Sequence, residues 1–380
     1  MRTAITALTI AFMASMSNAS ELSNPEALQS EPAAAVQTTV EKDDWKSTLA
    51  KMAKVSGYLQ TGYNYNSLGN GTSSFQAKRL RLLLDGQVCA NGTFRLQIEA
   101  FNGISGSTNG NGQKNVQVMD AFFTYKFKPQ FQVRAGQFFT PVGFENYSIA
   151  PATLETVDFS NICYRMVCRN AIGYDFVDYG RDLGVMLMGD LVPTSEGYSR
   201  FSYNLAVTNG HLPSMDDNNK SKDIIAAFTY RPIKYLDVKA AFNYGEYKNS
   251  EEKYNPMNRF VAGFWYDNPN GFDIRAEYGY LYGKNNGQYL AKEQAFYILA
   301  AYHAGKFLPV ARYETYHDSI DPTSLNNCSK ALIGCTWNPV PFLKVQLNYT
   351  TSFYSGDVKN VTNHGEGTSS QFQLMGLFKF

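Results

Sequence analysis

Apolar and polar residues alternate along most of the chain with the period of two that is typical of β-strands. In 94–100, for example, Phe94, Leu96 and Ile98 are separated by polar residues, and 271–281 and 343–349 alternate in the same way. The pattern predicts sixteen strands. They are expected at 56–66, 75–87, 93–102, 115–127, 131–138, 181–190, 198–208, 223–231, 235–247, 257–266, 271–283, 293–304, 306–316, 328–337, 341–353 and 369–380.

The connections between these strands alternate between short turns and long polar loops. A transmembrane barrel has this arrangement, because its periplasmic turns are tight and its extracellular loops can grow. An even number of strands also leaves both ends on one side. The sequence therefore predicts an all-β transmembrane antiparallel barrel. The long loops are 67–74, 103–114, 139–180, 209–222, 248–256, 284–292, 317–327 and 354–368.

A β-sandwich with one solvent-exposed face shows the same alternation. It does not, however, require all long connections to lie at one end of the strands and all short ones at the other. A charge on the lipid-facing side of a barrel costs roughly 2–4 kcal/mol at the bilayer midplane. The charged faces of the predicted strands are therefore expected to line a lumen.

The first nineteen residues are typical of a secretory signal peptide. Arg2 precedes the apolar run Ala4–Met16, and Ser17-Asn18-Ala19 is a small-x-small cleavage motif. Residues 20–55 are predicted to form a periplasmic linker or short helix, and 56–380 the barrel. This organisation predicts the outer membrane of a Gram-negative bacterium, after cleavage near Ala19.

Composition is consistent with a membrane barrel and argues against a nucleic-acid-binding protein. The net charge of +1 does not favour binding to nucleic acid. Aromatic residues make up 14% of the chain, which suits strands and interfacial girdles. The mean hydropathy of −0.31 is that expected of a barrel with a wet lumen and polar loops. No cofactor is expected.

Alternation places both signs of charge in the lumen. The arginines there suit oxyanions, because a guanidinium offers planar, forked donors. The alternative is a cross-strand lattice of salt bridges that stiffens the wall. The predicted lumen arginines are Arg79, Arg81, Arg95 and Arg134, with opposing carboxylates at Asp85, Glu99 and Asp120.

The loop at 139–180 is rich in apolar residues, unlike a disordered segment. Folding into the barrel would bury them and narrow the channel; an external cap or a subunit contact is the alternative. Tyr164, Arg165 and Arg169 would then bring positive charge to the constriction. Cys163 and Cys168 lie close enough to form a disulfide in an oxidising envelope, and the sequence leaves open whether they do.

Catalytic and metal-binding motifs are weak. None of the four histidines stands in a metal-ligand spacing, so no metal site is predicted. His317 beside Asp318 is similar to part of the catalytic group of an outer-membrane lipase, but no serine stands in a recognisable motif. The sequence does not predict an enzyme.

Several segments resemble the phosphate-selective porin O/P family. They are Asp120–Phe123, Arg134–Phe138 with Pro141–Glu145, Arg181–Val185 and Tyr203–Gly210. The terminal pattern ending in Phe380 is similar to the signal that barrel assembly machinery recognises. The resemblance implies a sixteen-stranded homotrimer in outer-membrane lipids, with a third extracellular loop that folds inward.

Together these observations predict a porin for passive diffusion of small hydrophilic solutes, with a mild preference for anions such as phosphate. A surface binding or adhesion barrel with a plugged lumen is the alternative. An outer-membrane hydrolase is a further one.

Overall fold

The computed structural model describes residues 53–100, 116–167, 180–210, 217, 220–248, 254–356, 358 and 367–380. The predicted signal peptide and most of the predicted linker lie outside the described residues, so both stay predictions. Among the described residues, no helix has the length and apolarity needed to cross a membrane.

The described chain forms sixteen strands joined in one closed sheet. Each strand pairs antiparallel with its sequence neighbours. The strands are β1 (Ala53–Asn66), β2 (Thr72–Cys89), β3 (Gly92–Glu99), β4 (Gln117–Lys128), β5 (Phe131–Phe139), β6 (Arg181–Pro193), β7 (Ser199–Thr208), β8 (Asp223–Tyr230), β9 (Leu236–Lys248), β10 (Tyr254–Asp267), β11 (Phe272–Asn285), β12 (Gln288–Tyr302), β13 (Phe307–Asp318), β14 (Cys328–Val340), β15 (Leu343–Tyr354) and β16 (Thr368–Lys379).

The first and last strands close the barrel. Tyr58 of β1 lies opposite Lys379 of β16, and the register continues to Asn66 opposite Gln371. Beyond it, the backbone groups of Gly57 and Phe380 exchange two hydrogen bonds of 2.9 and 3.0 Å. Closure leaves no unpaired sheet edge, as a strand-built membrane protein requires.

The burial pattern is the reverse of that in a soluble domain. On β11, Phe272 is 55% exposed and Tyr278 is 42% exposed, whereas Arg275 is completely buried. The same inversion occurs on β3, where Leu96 is exposed and Glu99 is buried. The apolar residues face outward and the charged residues face the interior, as alternation predicted.

The predicted fold class is confirmed. Each of the sixteen predicted strands is present, and the strands differ from the prediction by only a few residues at their ends. The largest difference is an extension toward a long loop at the start of β12, where Gln288 precedes the predicted Glu293. Cross-strand pairing continues past the point where the hydrophobic alternation fades.

Candidate constriction site

The long loop after β5 starts with a sharp turn. Gly143 has φ 73°, a left-handed conformation that glycine adopts without steric cost. The short helix α1 (Phe144–Tyr147) follows directly. Asn146 closes the base of the loop, because its amide donates to the carbonyls of Thr140 and Gly180 at 2.9 and 3.2 Å.

The described part of the loop contacts strands on opposite sides of the barrel. Strand side chains hold its backbone by hydrogen bonds of 2.6–3.3 Å. On one side Lys239 of β9 donates to Gly143 and Glu277 of β11 accepts from Phe144; on the other Thr336 of β14 donates to Glu155, Asn348 of β15 accepts from Val157, and Arg79 of β2 donates to Val157.

Two loop carboxylates meet two strand arginines at the centre of these contacts. Glu155 forms a bidentate pair with Arg275, at 2.8 Å for the shorter contact. Glu145 lies 3.6 Å from Arg275 and 3.8 Å from Arg312. All four side chains are at most 6% exposed. Such an arrangement fixes the loop, because a buried charge that loses its partner is costly.

The pKa values of Glu155 and Glu145 are shifted in opposite directions. Burial alone would raise the pKa of Glu155, but the Arg275 guanidinium outweighs it and lowers that pKa to about 2. Burial raises the pKa of Glu145 above its ordinary value of 4.5, and Arg275 and Arg312 only partly oppose this. Glu155 is therefore the firmly ionised member of the cluster, and Glu145 is the member that takes up a proton first.

Asp158 is the third acidic group of the loop. It lies 2.5 Å from Lys78 and accepts hydrogen bonds from Tyr164 and Gln373 at 3.2 and 2.7 Å. Burial would raise its pKa, but the charges of Lys78 and Arg79 outweigh this and hold the pKa well below its ordinary range. Tyr164 also accepts from Arg79 at 3.1 Å. These contacts bring the predicted Arg79 and Tyr164 together.

Two of the predicted lumen arginines form cross-strand pairs. Arg81 of β2 contacts Glu99 of β3 at 2.8 Å, and both side chains are buried. Arg95 of β3 contacts Asp85 of β2 at 2.6 and 3.0 Å, with both side chains more than a third exposed. The carboxylates therefore lie beside these arginines on neighbouring strands, not across the channel from them. Both are cross-strand ion pairs, of the kind that a salt-bridge lattice would contain.

Asp120 and Arg134 do not meet as a pair. Asp120 is buried against Arg181 at 2.5 Å, and the Arg181 guanidinium lies 3.6 Å from the centre of the Phe139 ring. Arg134 donates to the Thr124 hydroxyl at 3.0 Å and lies over the Phe122 ring at 4.2 Å. Thus Arg181, which the sequence associated only with a family motif, is the partner of Asp120.

A π-helix at Ile162–Val167 follows these acidic groups in the loop. Arg165 within it lies half-buried, 5.8 Å from the centre of the Tyr316 ring. Cys163 is buried. Arg169 and Cys168 lie outside the described residues, so the disulfide and the role of Arg169 stay predictions.

Sequence reasoning missed Glu155, Asp158 and Lys78. Alternation assigns strand side chains to a face, but it does not describe a loop, so it could not predict the contacts of the two loop acids. The partners of Arg275 and Arg312 were not predicted either. The excess of acids in the stretch 145–158 of an otherwise apolar loop was the signal available.

Residues 54–165 match the family described as phosphate-selective porin O and P. The predicted family resemblance is confirmed. The match includes β1 to β5 and the loop as far as Arg165. A comparison with the curated proteins found no match.

Solved porins share the fold. An anion-selective porin from Comamonas acidovorans has 12% identity and a TM-score of 0.62, covering 86% of this chain and 99% of its own. OmpF of Salmonella typhi, in complex with daunomycin, has 13% identity and a TM-score of 0.63, covering 86% and 97%. The trimer form of OmpT from Vibrio cholerae has 12% identity and a TM-score of 0.53, covering 86% and 99%. Together with the family match, they confirm the prediction of an outer-membrane porin.

Proposed function

We propose that the chain allows small hydrophilic solutes to diffuse passively through a lumen narrowed by the loop 139–180, with a mild preference for anions. The loop is held by side chains of strands around the barrel, so it sets the width of the path. The charged groups on that path then bias which ions pass.

The anion preference rests on Arg134 and Arg165. Among the described residues, neither forms an ion pair, and both are half-buried. By contrast, Arg81, Arg95 and Arg275 are each neutralised by a carboxylate within 3 Å. Guanidinium groups without a close ion-pair partner add positive potential to the path.

The other parts of the proposal concern assembly. Cleavage near Ala19 would release the mature chain, and Phe380 would present it to barrel assembly machinery. A homotrimer in outer-membrane lipids is supported by the similarity to OmpT, which is described in a trimer form. The solutes are small and hydrophilic, and no cofactor takes part.

Reversal potentials across a KCl gradient test the proposal. The purified protein in planar bilayers should conduct steadily and give a reversal potential of the sign for chloride over potassium. A cation-selective channel would overturn the anion preference while leaving the porin intact. Adding phosphate or neutral sugars to the same bilayer then measures which solutes compete for the path.

The extent of the loop contacts favours one other candidate, a surface binding barrel with a plugged lumen. Lys344 and Gln346 of β15 both donate to the carbonyl of Leu154, so the loop reaches the far wall. A plugged barrel gives no steady open-channel current, and that outcome in the same experiment would decide for it.

A further inference from the structure

Three metal-ligating side chains meet on neighbouring strands, far in sequence from the constriction loop. They are Asp267 at the end of β10, Asp273 at the start of β11 and His303 directly after β12. One ligand atom from each lies within 4.8 Å of the other two. The cluster is at the short-turn end of the barrel, which is the periplasmic end if the long loops are extracellular.

The register explains how the cluster forms. Asp267 lies directly opposite Asp273 in the β10–β11 pair. The backbone N–H of His303 donates to the carbonyl of Gly271 at 2.8 Å, which places the histidine beside the start of β11. Asp273 is 2% exposed, so one carboxylate of the facing pair is held in a dry position.

Two carboxylates directly opposite each other destabilise a sheet unless something compensates them. No lysine or arginine forms an ion pair with Asp267 or Asp273 in the described part of the chain. Asp273 does interact with Arg275 and with Glu155 of the constriction loop, and the Asp267 carboxylate lies 3.6 Å from the imidazole of His303. A bound cation would compensate both carboxylates at once.

The histidine supplies a separate observation. Its Nε2 atom is buried and makes no hydrogen bond with any described residue. A buried polar atom without a partner is costly. The distance of 3.6 Å from Nε2 to the Asp267 oxygen is close to the roughly 3.4 Å that separates two ligands on a tetrahedral zinc ion.

We propose that Asp267, Asp273 and His303 bind a divalent transition metal ion, best matched by Zn²⁺, at this end of the barrel. Imidazole nitrogen and carboxylate oxygen atoms are both zinc ligands, and three protein ligands can leave the remaining position open to water. The imidazole selects against Mg²⁺ and Ca²⁺, which prefer oxygen ligands only.

Trp265 orients the site. Its indole N–H donates to the Asp273 carboxylate at 2.8 Å, and its ring packs against Phe144 of the constriction loop with 5.9 Å between ring centres. A side chain that coordinates a metal ion usually also forms a hydrogen bond to a neighbouring group, which fixes its orientation. The same indole therefore links the metal site to the base of the loop.

Calorimetric titration of zinc chloride into the full-length protein, purified in detergent and stripped with EDTA, tests the proposal. We expect one zinc ion per chain, with affinity unaffected by excess Mg²⁺. His303→Gln and Asp267→Asn should each lower the affinity, by about tenfold or more. His317→Gln is the matched control, since His317 lies at the end of β13 near the long loops and should leave the titration unchanged.

Circular dichroism of each variant establishes that the sheet has formed. If His303→Gln does not fold, Trp265→Phe decides, because it keeps all three ligands and should still weaken binding. Absence of zinc binding to the unaltered protein would overturn the proposal. So would equal affinity in the folded ligand variants and the control. The titration does not depend on conductance, so a failure to bind zinc would leave the porin proposal intact.

Discussion

At the scale of single residues, the lumen is organised by buried charges whose partners come from the loop. Arg275 contacts Glu155 and Glu145, and Arg312 contacts Glu145 and donates to the carbonyl of Asp158 at 2.9 Å. A buried ion pair adds little net stability by itself, but removing one partner is costly. The arrangement therefore makes the position of the loop sensitive to single substitutions.

Glu155→Gln should destabilise the protein and loosen the loop, because Arg275 loses its bidentate partner while remaining buried. Breaking such a pair costs about 3–5 kcal/mol. Denaturant unfolding in lipid vesicles measures the decrease in the free energy of unfolding. Asp85→Asn is the control, because its pair with Arg95 is more than a third exposed and should contribute no more than about 1 kcal/mol. Equal effects of the two substitutions would contradict the assignment.

Replacing both Arg134 and Arg165 by glutamine should lower the chloride-to-potassium permeability ratio, because it removes two guanidinium groups that form no ion pair with any described residue. Reversal potentials measure the ratio. The double variant Asp85→Asn with Arg95→Gln removes one positive and one negative charge together and should leave the ratio nearly unchanged. A ratio unaffected in the first variant would show that the preference, if present, arises elsewhere.

Acidification from neutral pH should strengthen the anion preference. The pKa of Glu145 is raised by burial, so it is the carboxyl of the cluster that is protonated first, leaving Arg275 and Arg312 less compensated. A raised carboxyl pKa also means that ionised Glu145 costs stability above its folded pKa, and the cost is relieved as the pH falls. Reversal potentials at several pH values should show the change, and Glu145→Gln should remove most of it.

The contribution of Glu155 to stability depends on pH in the opposite direction. Its pKa is lowered to about 2, so the stability from its pair with Arg275 is fully present above pH 4.5 and is lost only as the pH falls toward 2. The loop should therefore stay attached throughout the range in which Glu145 titrates.

At the scale of elements, the strands and the loop have different structural roles. The strands form the wall through backbone pairing, and the β5–β6 ladder runs to Phe139 opposite Arg181, where the loop begins and ends. The wall therefore does not need the loop in order to form. The described part of the loop instead connects opposite sides of the wall through side-chain contacts.

Replacing residues 144–166 by a short glycine–serine linker should raise the single-channel conductance several-fold while the barrel still forms. A shortened extracellular loop at 319–326, which lies between β13 and β14, is the control and should leave the conductance almost unchanged. Planar-bilayer recording measures both variants. An unchanged conductance after removal of 144–166 would contradict a role for the loop as the constriction.

The sequence predicted the strands well because a period of two reports directly on the two sides of a membrane sheet. Phe272 and Arg275 are assigned correctly by that rule alone. It could not predict that Glu155 would meet Arg275, which is 120 residues away, because the path of a loop depends on tertiary contacts. For the same reason the cluster at Asp267, Asp273 and His303 was missed: its residues are joined by register, not by sequence spacing.

At the scale of the whole molecule, the chain ends take part in closing the barrel. Phe380 exchanges two backbone hydrogen bonds with Gly57, while its side chain is 63% exposed. The ring lies against the backbone of Gly57, where an added Cβ would come within 2.5 Å of it, and most of the side chain stays exposed.

Phe380→Ala should reduce the amount of protein assembled in the outer membrane several-fold, while the stability of the refolded protein changes little, because the backbone pairing with Gly57 is kept. Immunoblotting of outer-membrane fractions measures the first quantity and denaturant unfolding the second. Phe378→Ala is a useful comparison, since that side chain is also outward, at 44% exposed. Loss of stability without loss of assembly would contradict a signalling role for Phe380.

The ladder between β1 and β16 also determines how the protein comes apart. Every strand has a neighbour on both sides, so releasing any one of them breaks two ladders together, and a surrounding micelle supplies no replacement hydrogen bonds. Partly unravelled forms are therefore disfavoured. In electrophoresis with dodecyl sulfate, the unheated protein should run as a compact, fast band, and boiling should convert it in one step to the slower, extended chain.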